Sequence, residues 1–224
     1  MSGLTRRSAL AHRTPLRSMD GKAAIRERAF EGKLILRGKL EAVGGAVAAV
    51  LAALLPDTAC STASGEQAVV QWLSPDEWLI VTAPGYETTL AASLEKAVAD
   101  NHSQIVDITD YYTTIELSGA HARDMLMKIA TVDFHPRAFK PGMGVTTNFG
   151  RTVAWARQTR EEAFDLIVRI SMADYLWCLL SEAGREWGMP PQAPKGGDVR
   201  LHLPHFEAES AVSSSELAPV LEIT

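Results

Sequence analysis

Trp72-Leu73-Ser74-Pro75-Asp76-Glu77-Trp78-Leu79-Ile80-Val81 is the stretch whose reading decides the fold. Two apolar runs, each carrying a tryptophan, flank Ser-Pro-Asp-Glu. Proline presets its own φ, and Ser and Asp favour turns, so the stretch reads as a tight β-hairpin. Its strands are Ala68 to Leu73 and Glu77 to Thr82.

Upstream, Lys33 to Leu36 reads as a short strand and Leu40 to Leu55 as a helix stopped at Pro56-Asp57. Thr58 to Glu66 is rich in Ser, Thr, Ala and Gly and reads as a loop. Downstream, Leu90, Leu94, Ala97 and Val98 recur at helical spacing, which predicts a helix over Tyr86 to Asp100. Gln104 to Asp107 and Thr113 to Leu117 read as a strand pair bent at Asp110-Tyr111. Gly119 to Ala130 is helical, with Ala122, Met125, Leu126 and Ile129 on one face. Gly144 to Thr147 and Arg151 to Arg157 are paired strands across Asn148-Phe149-Gly150. Ala163 to Ile170 is the next strand, and Ser171 is expected to cap a helix running to about Gly188. Antiparallel strands with interleaved helices indicate an α+β fold built of split β-α-β-type units.

The 224 residues suffice for one large domain or two small intimate ones, and 46% are apolar, as in a globular core. A net charge of −5 argues against nucleic acid as a partner. Residues 1–32 are charged and weakly patterned and are expected to form an arm. Residues 33–188 are the expected α+β domain. Residues 189–224 open on Met189-Pro190-Pro191 and read as a linker and extended tail. Both ends are expected to be ordered by a partner rather than by their own core. No apolar segment follows Arg6-Arg7, which argues against export, and the apolar run Ala42 to Leu55 is too short to span a bilayer.

The chemistry-bearing residues point to no active site. Cys60 and Cys178 have no metal spacing and no adjacent base, and Cys178 sits within Leu176-Trp177-Cys178-Leu179-Leu180. His202 and His205 are close together, with Glu207 and Glu209 nearby, but an odd spacing puts two strand residues on opposite faces. His121 is expected at a helix start and His135 in a turn before Pro136. Lys140-Pro141-Gly142-Met143-Gly144 lacks the strand-to-helix setting of a nucleotide loop. Asp107, Asp110 and Asp133 are the acidic residues that stand out near apolar strands. One reading is that Asp107 and Asp110 organise turns through side-chain-to-backbone bonds. Trp187, beside the linker, is the expected interface anchor.

Three signatures occur in order: Trp72 to Val81, then Val106-Asp107-Ile108-Thr109-Asp110-Tyr111-Tyr112 with its continuation to Gly119, then Val132-Asp133-Phe134-His135-Pro136-Arg137-Ala138-Phe139. With Val153 to Arg169 they resemble the gamma subunit family of heterotetrameric sarcosine oxidase over about Leu40 to Gly188. The small subunit of N-methylglutamate dehydrogenase is similar too. The resemblance implies the aminomethyltransferase-like folate-binding fold, whose folate-binding members can contact the pterin with a carboxylate, for which Asp107, Asp110 and Asp133 are the candidates here. It implies a non-catalytic assembly subunit of a flavin-dependent oxidoreductase that oxidatively demethylates sarcosine or N-methylglutamate and passes the one-carbon unit to tetrahydrofolate. Larger alpha and beta subunits and a small delta subunit are the implied partners. FAD, FMN, NAD, zinc and tetrahydrofolate are implied in those partners, with none held mainly by this chain, and the setting is cytoplasmic. No catalytic, cofactor-binding or metal-binding residue carries over. The alternative from another class is a stand-alone folate-binding aminomethyl or methyl transferase.

Overall fold

The computed structural model of the chain describes residues 6–195. Its elements, in order, are β1 (Leu16–Arg17), β2 (Ala24–Arg28), β3 (Gly32–Gly38), α1 (Leu40–Leu51), β4 (Thr62–Ser64), β5 (Ala68–Ser74), β6 (Glu77–Thr82), α2 (Glu87–Ala97) and β7 (Ser103–Asp107). A 3-10 turn, Thr109–Tyr111, leads into β8 (Tyr112–Ser118), α3 (Ala122–Ile129), β9 (Gly144–Phe149), β10 (Thr152–Arg160), β11 (Ala163–Arg169) and α4 (Ile170–Ala183). The expected α+β class and its antiparallel sheets are present.

The hairpin forms as read. β5 and β6 pair with Trp72 opposite Trp78, and the register shifts between Trp72 and Ser74. Ser74 Oγ donates to Asp76 at 2.8 Å and stiffens the turn. Alternate residues of β6 then face opposite ways. Trp78 and Ile80 pack with Val43 and Val47 of α1 and Leu90 and Leu94 of α2. Leu79 and Val81 pack instead with Ile167 of β11. The indole Nε1 of buried Trp78 donates to the Pro56 carbonyl at 2.8 Å, so its one polar atom is satisfied.

Two sheets result. One has the order β4-β5-β6-β3-β7, the other β1-β2-β8-β11-β10-β9. Their inner faces meet around Leu79, Val81 and Ile167. α1 and α2 cover the outside of the first. α3 and α4 cover the outside of the second, through Met125, Leu126, Leu176, Trp177 and Leu180. The layers therefore run helix, sheet, sheet, helix. The halves share one plan: β3, β4, β5, β6 and β7 hold the places in the first sheet that β8, β9, β10, β11 and β2 hold in the second. Each half has a helix after its first strand and another after its fourth. The last place differs in origin. It is filled by β7 in the first half and by β2, from near the N-terminus, in the second.

For the described residues 6–31, that origin corrects the expected arm. β2 pairs along β8 from Ala24↔Ser118 to Arg28↔Thr114. Leu10, Leu16 and Ile25 lie in the same core as α3 and α4. Gly119, at φ +108°, lets the backbone come so close to Lys22 that a Cβ would stand 2.2 Å from the Lys22 carbonyl oxygen. The start of the expected tail is likewise part of the domain. Met189 is buried, and the Pro190 carbonyl accepts from Ser181 Oγ at 2.6 Å. Asp174 at the start of α4 holds both ends: it meets His12 Nε2 at 2.7 Å and accepts from Arg13 Nε at 2.8 Å and the Lys195 N–H at 2.9 Å. Burial would raise the Asp174 carboxyl, but the Lys195 N–H, His12 and Arg13 hold it below its ordinary value. Residues 196–224 lie outside the described residues.

Three smaller expectations change. β7 and β8 do not pair with each other, because β7 pairs with β3 and β8 with β11 and β2. The loop over Thr58 to Glu66 contains β4, an edge strand on β5. α4 starts at Ile170 after an extended Arg169 and carries no side-chain cap, so Ser171 is inside the helix.

Burying each of Leu10, Leu16 and Ile25 contributes about 1.5–3 kcal/mol. A chain beginning at Gly32 loses all three and the β2 ladder, and is expected to lose cooperative thermal unfolding. Near-ultraviolet circular dichroism and a melt check this. A sharp transition near that of the full chain would show that residues 6–31 are dispensable.

Candidate functional site

One row of charges crosses the inner face of the second sheet, one residue per strand. Arg157 of β10 lies opposite Asp165 of β11, Asp165 opposite Glu116 of β8, and Glu116 opposite Arg26 of β2. Two carboxylates side by side repel. Cations bracket them. Arg157 donates to Asp165 Oδ2 from Nε at 2.9 Å and Nη2 at 2.7 Å. Arg28 Nη1 reaches both Asp165 oxygens at 3.0 Å, and its Nη2 donates to Glu31. Arg26 grips Glu116 with two bonds of 3.0 and 2.7 Å. From the facing sheet, Lys33 Nζ donates to the Glu31 carbonyl at 2.9 Å.

Asp165 and Lys33 have no exposed surface. Burial pushes the Lys33 ammonium down to about 8, with Arg157 and Arg28 adding to the fall against the pull of Glu31 and Asp165. On Arg28, burial is outweighed by the carboxylates of Asp165, Glu31 and Glu116, which raise it above its ordinary value. Arg157 Nη1, Glu31 Oε2 and both amide atoms of Gln71 are buried without a protein partner. A cavity of about 390 Å³ opens beside Arg28, Glu31 and Arg157. A lysine whose ammonium loses its proton near 8 is a candidate base or nucleophile where substrate can reach it. Lys33 is sealed and tied to a carbonyl, so its position supports packing electrostatics and not attack on a substrate.

No pattern singled these residues out in the sequence, although a signal existed. Lys33, Glu116, Arg157 and Asp165 are strand charges that each adjoin an apolar residue: Leu34, Ile115 and Leu117, Ala156, and Phe164 and Leu166.

The acidic candidates do not converge. Asp107 Oδ1 accepts from the Thr109 N–H at 2.9 Å, closing its own turn. Asp110 is exposed and pairs with Arg6. Asp133 Oδ1 accepts from the His135 N–H at 2.8 Å, and His135 Nδ1 accepts from the Arg137 N–H at 3.2 Å. Asp107 and Asp133 are thus engaged within their own turns and Asp110 by Arg6, and the three do not make a pterin cradle. His121 flanks the start of α3, meets Asp20 at 2.7 Å and stacks on Trp187 at 4.4 Å. The Ser18 hydroxyl, the Lys22 N–H and His121 hold Asp20 far below the usual carboxylate range. Trp187, expected to anchor an interface, also carries the Lys128 ammonium 4.1 Å from its ring centre, so its contacts are within the domain. Burial raises the Cys178 thiol to about 11, against the pull of Arg13. Cys60 sits part-exposed in a left-handed turn. The Lys140-to-Gly144 loop joins no strand to a helix: it leads into β9, and the Gly142 carbonyl accepts from the Thr62 N–H at 2.9 Å. His202 and His205 lie outside the described residues, among which no group of three metal-ligating side chains gathers. No helix among them is long and apolar enough to cross a membrane.

Comparison with known proteins places this geometry. The sequence model of the sarcosine oxidase, gamma subunit family matches residues 39–186. A sarcosine oxidase subunit gamma from Corynebacterium sp. (strain P-1) is 32% identical over 179 residues, 79% of this chain and 87% of the relative. A chain of the heterotetrameric sarcosine oxidase from Corynebacterium sp. U-96, solved in complex with pyrrole 2-carboxylate, superposes with a TM-score of 0.73 at 26% identity. That match covers 84% of this chain and 99% of the other. Aminomethyltransferase T of the glycine cleavage system from Bartonella henselae superposes at 0.55 and 14% identity, over 73% of this chain and 46% of that one, which is a likeness of fold.

Two outcomes follow from the titrations. Unfolded Lys33 stays charged to near its ordinary 10.5, whereas folded Lys33 loses its proton near 8. Between those values the unfolded chain binds more protons, so the Lys33 contribution to stability rises with pH. Relative to Lys33→Met, the wild type is expected to gain about 2–3 kcal/mol between pH 7.5 and pH 10 in denaturant titrations. A constant difference would place Lys33 in water. With a thiol reagent at pH 8, one fast equivalent is expected, removed by Cys60→Ser and unchanged by Cys178→Ser.

Proposed function

We propose a function from the premise that the chain belongs to the sarcosine oxidase gamma subunit family: it is a non-catalytic assembly subunit of a heterotetrameric flavin-dependent oxidoreductase. On this reading the complex oxidatively demethylates an N-methyl amino acid, sarcosine or N-methylglutamate, and the released carbon passes to tetrahydrofolate. FAD, FMN, NAD, zinc and tetrahydrofolate belong to alpha, beta and delta subunits in this proposal, and the complex works in the cytoplasm.

The observation that carries the reading is the internal use of the polar centre. Asp165 spends both oxygens on Arg157 and Arg28, and Glu116 spends both on Arg26. Charges so committed hold the strands of the second sheet in register. Asp107 and Asp133 are equally committed to their own turns. This is the arrangement of a chain that presents a surface to partners.

Purifying the full-length chain alone, and again after co-expression with flavin-bearing subunits, tests this. Dye reduction with sarcosine or N-methylglutamate is expected from the complex and absent from the chain alone. Turnover by the isolated chain would overturn the reading. Tetrahydrofolate binding to the isolated chain, abolished by Asp107→Ala or Asp110→Ala, would favour the stand-alone transferase.

A further inference from the structure

The inner face of the second sheet extends beyond the cover of the first. Past Ile167, β11 continues to Arg169, which lies opposite Tyr112 of β8, and β10 reaches back to Val153, which pairs with Asn148 of β9 and is 53% exposed. The Tyr112 and Trp155 rings stack there, 4.4 Å apart at 28°. They floor a shallow cavity of about 520 Å³ whose rim carries Arg151 and Arg169. A second hollow of about 280 Å³ shares Tyr112 and adds Ile170, which is 49% exposed, together with Arg6 and Arg7.

Composition and charge set this face apart. The whole chain is acidic, at −5. The side chains lining the two hollows include four arginines against one acid, Asp110, which is already paired with Arg6. Apolar surface of this kind ringed by polar groups marks an interaction site. Trp, Tyr and Arg are the residues that carry most binding energy at protein interfaces. A second copy of the chain would bring like charges together across a two-fold axis, which disfavours it.

We propose that this arginine-rimmed aromatic face docks an acidic, apolar-centred surface of a larger partner subunit. The proposal rests on the assembly-subunit reading above. The stacked Tyr112–Trp155 pair provides a rigid floor that loses little side-chain freedom on binding. Val153 and Ile170 supply the apolar contact. The arginines select an acidic rim and speed encounter.

The test titrates the full-length chain against the purified flavin-bearing subassembly at low and moderate salt. Arg151→Glu with Arg169→Glu, and separately Val153→Glu, are expected to raise the Kd at least tenfold while leaving the melting temperature of the free chain unchanged. The double reversal is also expected to flatten the salt dependence. Leu54→Glu, at a residue 78% exposed after α1, serves as the distant control and is expected to bind as wild type. Wild-type affinity in both face variants would overturn the docking face alone. No binding by the wild-type chain would overturn the assembly reading and this proposal with it. Two further results would assign the face to another occupant and overturn the proposal. One is tighter binding by a chain ending at Lys195, which would mean the chain's own later residues take the face. The other is a homodimer abolished by the arginine reversals.

Discussion

Asp165 is held by three nitrogens of Arg157 and Arg28 in a place with no access to water, and the register of the second sheet depends on that contact. Removing one partner of such a buried pair generally costs about 3–5 kcal/mol, whereas replacing the whole set by apolar groups can be neutral. The cluster is therefore better understood as a register device than as a source of stability. A one-residue slip of β11 would turn Asp165 into the apolar core that holds Phe164, Leu166 and Val168. The row Arg157, Asp165, Glu116 and Arg26 thus fixes four strands at once. Lys33, reaching in from the opposite sheet, adds a cost at neutral pH that the surrounding carboxylates only partly offset.

How much was legible depended on distance along the chain. The hairpin at Trp72 to Val81 and the β9–β10 hairpin use neighbouring residues, so turn chemistry and alternation sufficed, although the second turn falls at Gly150-Arg151, with Asn148 and Phe149 inside β9. The helices announced themselves by apolar spacing, with errors at their ends: α1 stops at Leu51 because Ala52 adopts a left-handed conformation, four residues before the proline. Sheet membership was not legible. Gln104 to Asp107 and Thr113 to Leu117 are adjacent in sequence but belong to opposite halves. β2 was hidden by its own function. Ala24-Ile25-Arg26-Glu27-Arg28 shows one large apolar residue among charges and reads as a solvated arm. In the fold Ile25 faces one core while Arg26 and Arg28 neutralise Glu116 and Asp165 on the other side, and Glu27 accepts from Ser8 and Thr113.

The candidate site divided along the same line. The turn roles of Asp107 and His135 follow from two-residue side-chain-to-backbone reach, and both were readable. The charge cluster draws on residues 28, 31, 33, 116, 157 and 165, which only the topology brings together. Trp187 shows a further limit of sequence reading. A tryptophan beside a proline-rich stretch fits an external contact, yet His121 and Lys128 of its own domain occupy its ring.

The exchange of strand places between halves also sets an order of events during synthesis. The first sheet draws all its strands from residues 32–107 and can be assembled as they emerge. β2 is made before all of them, yet its partner β8 follows about ninety residues later. At typical translation rates that interval is roughly 5–20 s, during which Ile25 and the arginines beside it have only the two-residue β1 to pair with. The Asp174 clasp comes later still, since it needs Lys195. A strand made near the start of the chain is thus among the last to be seated, and the charge row closes only after β8, β10 and β11 have all left the ribosome.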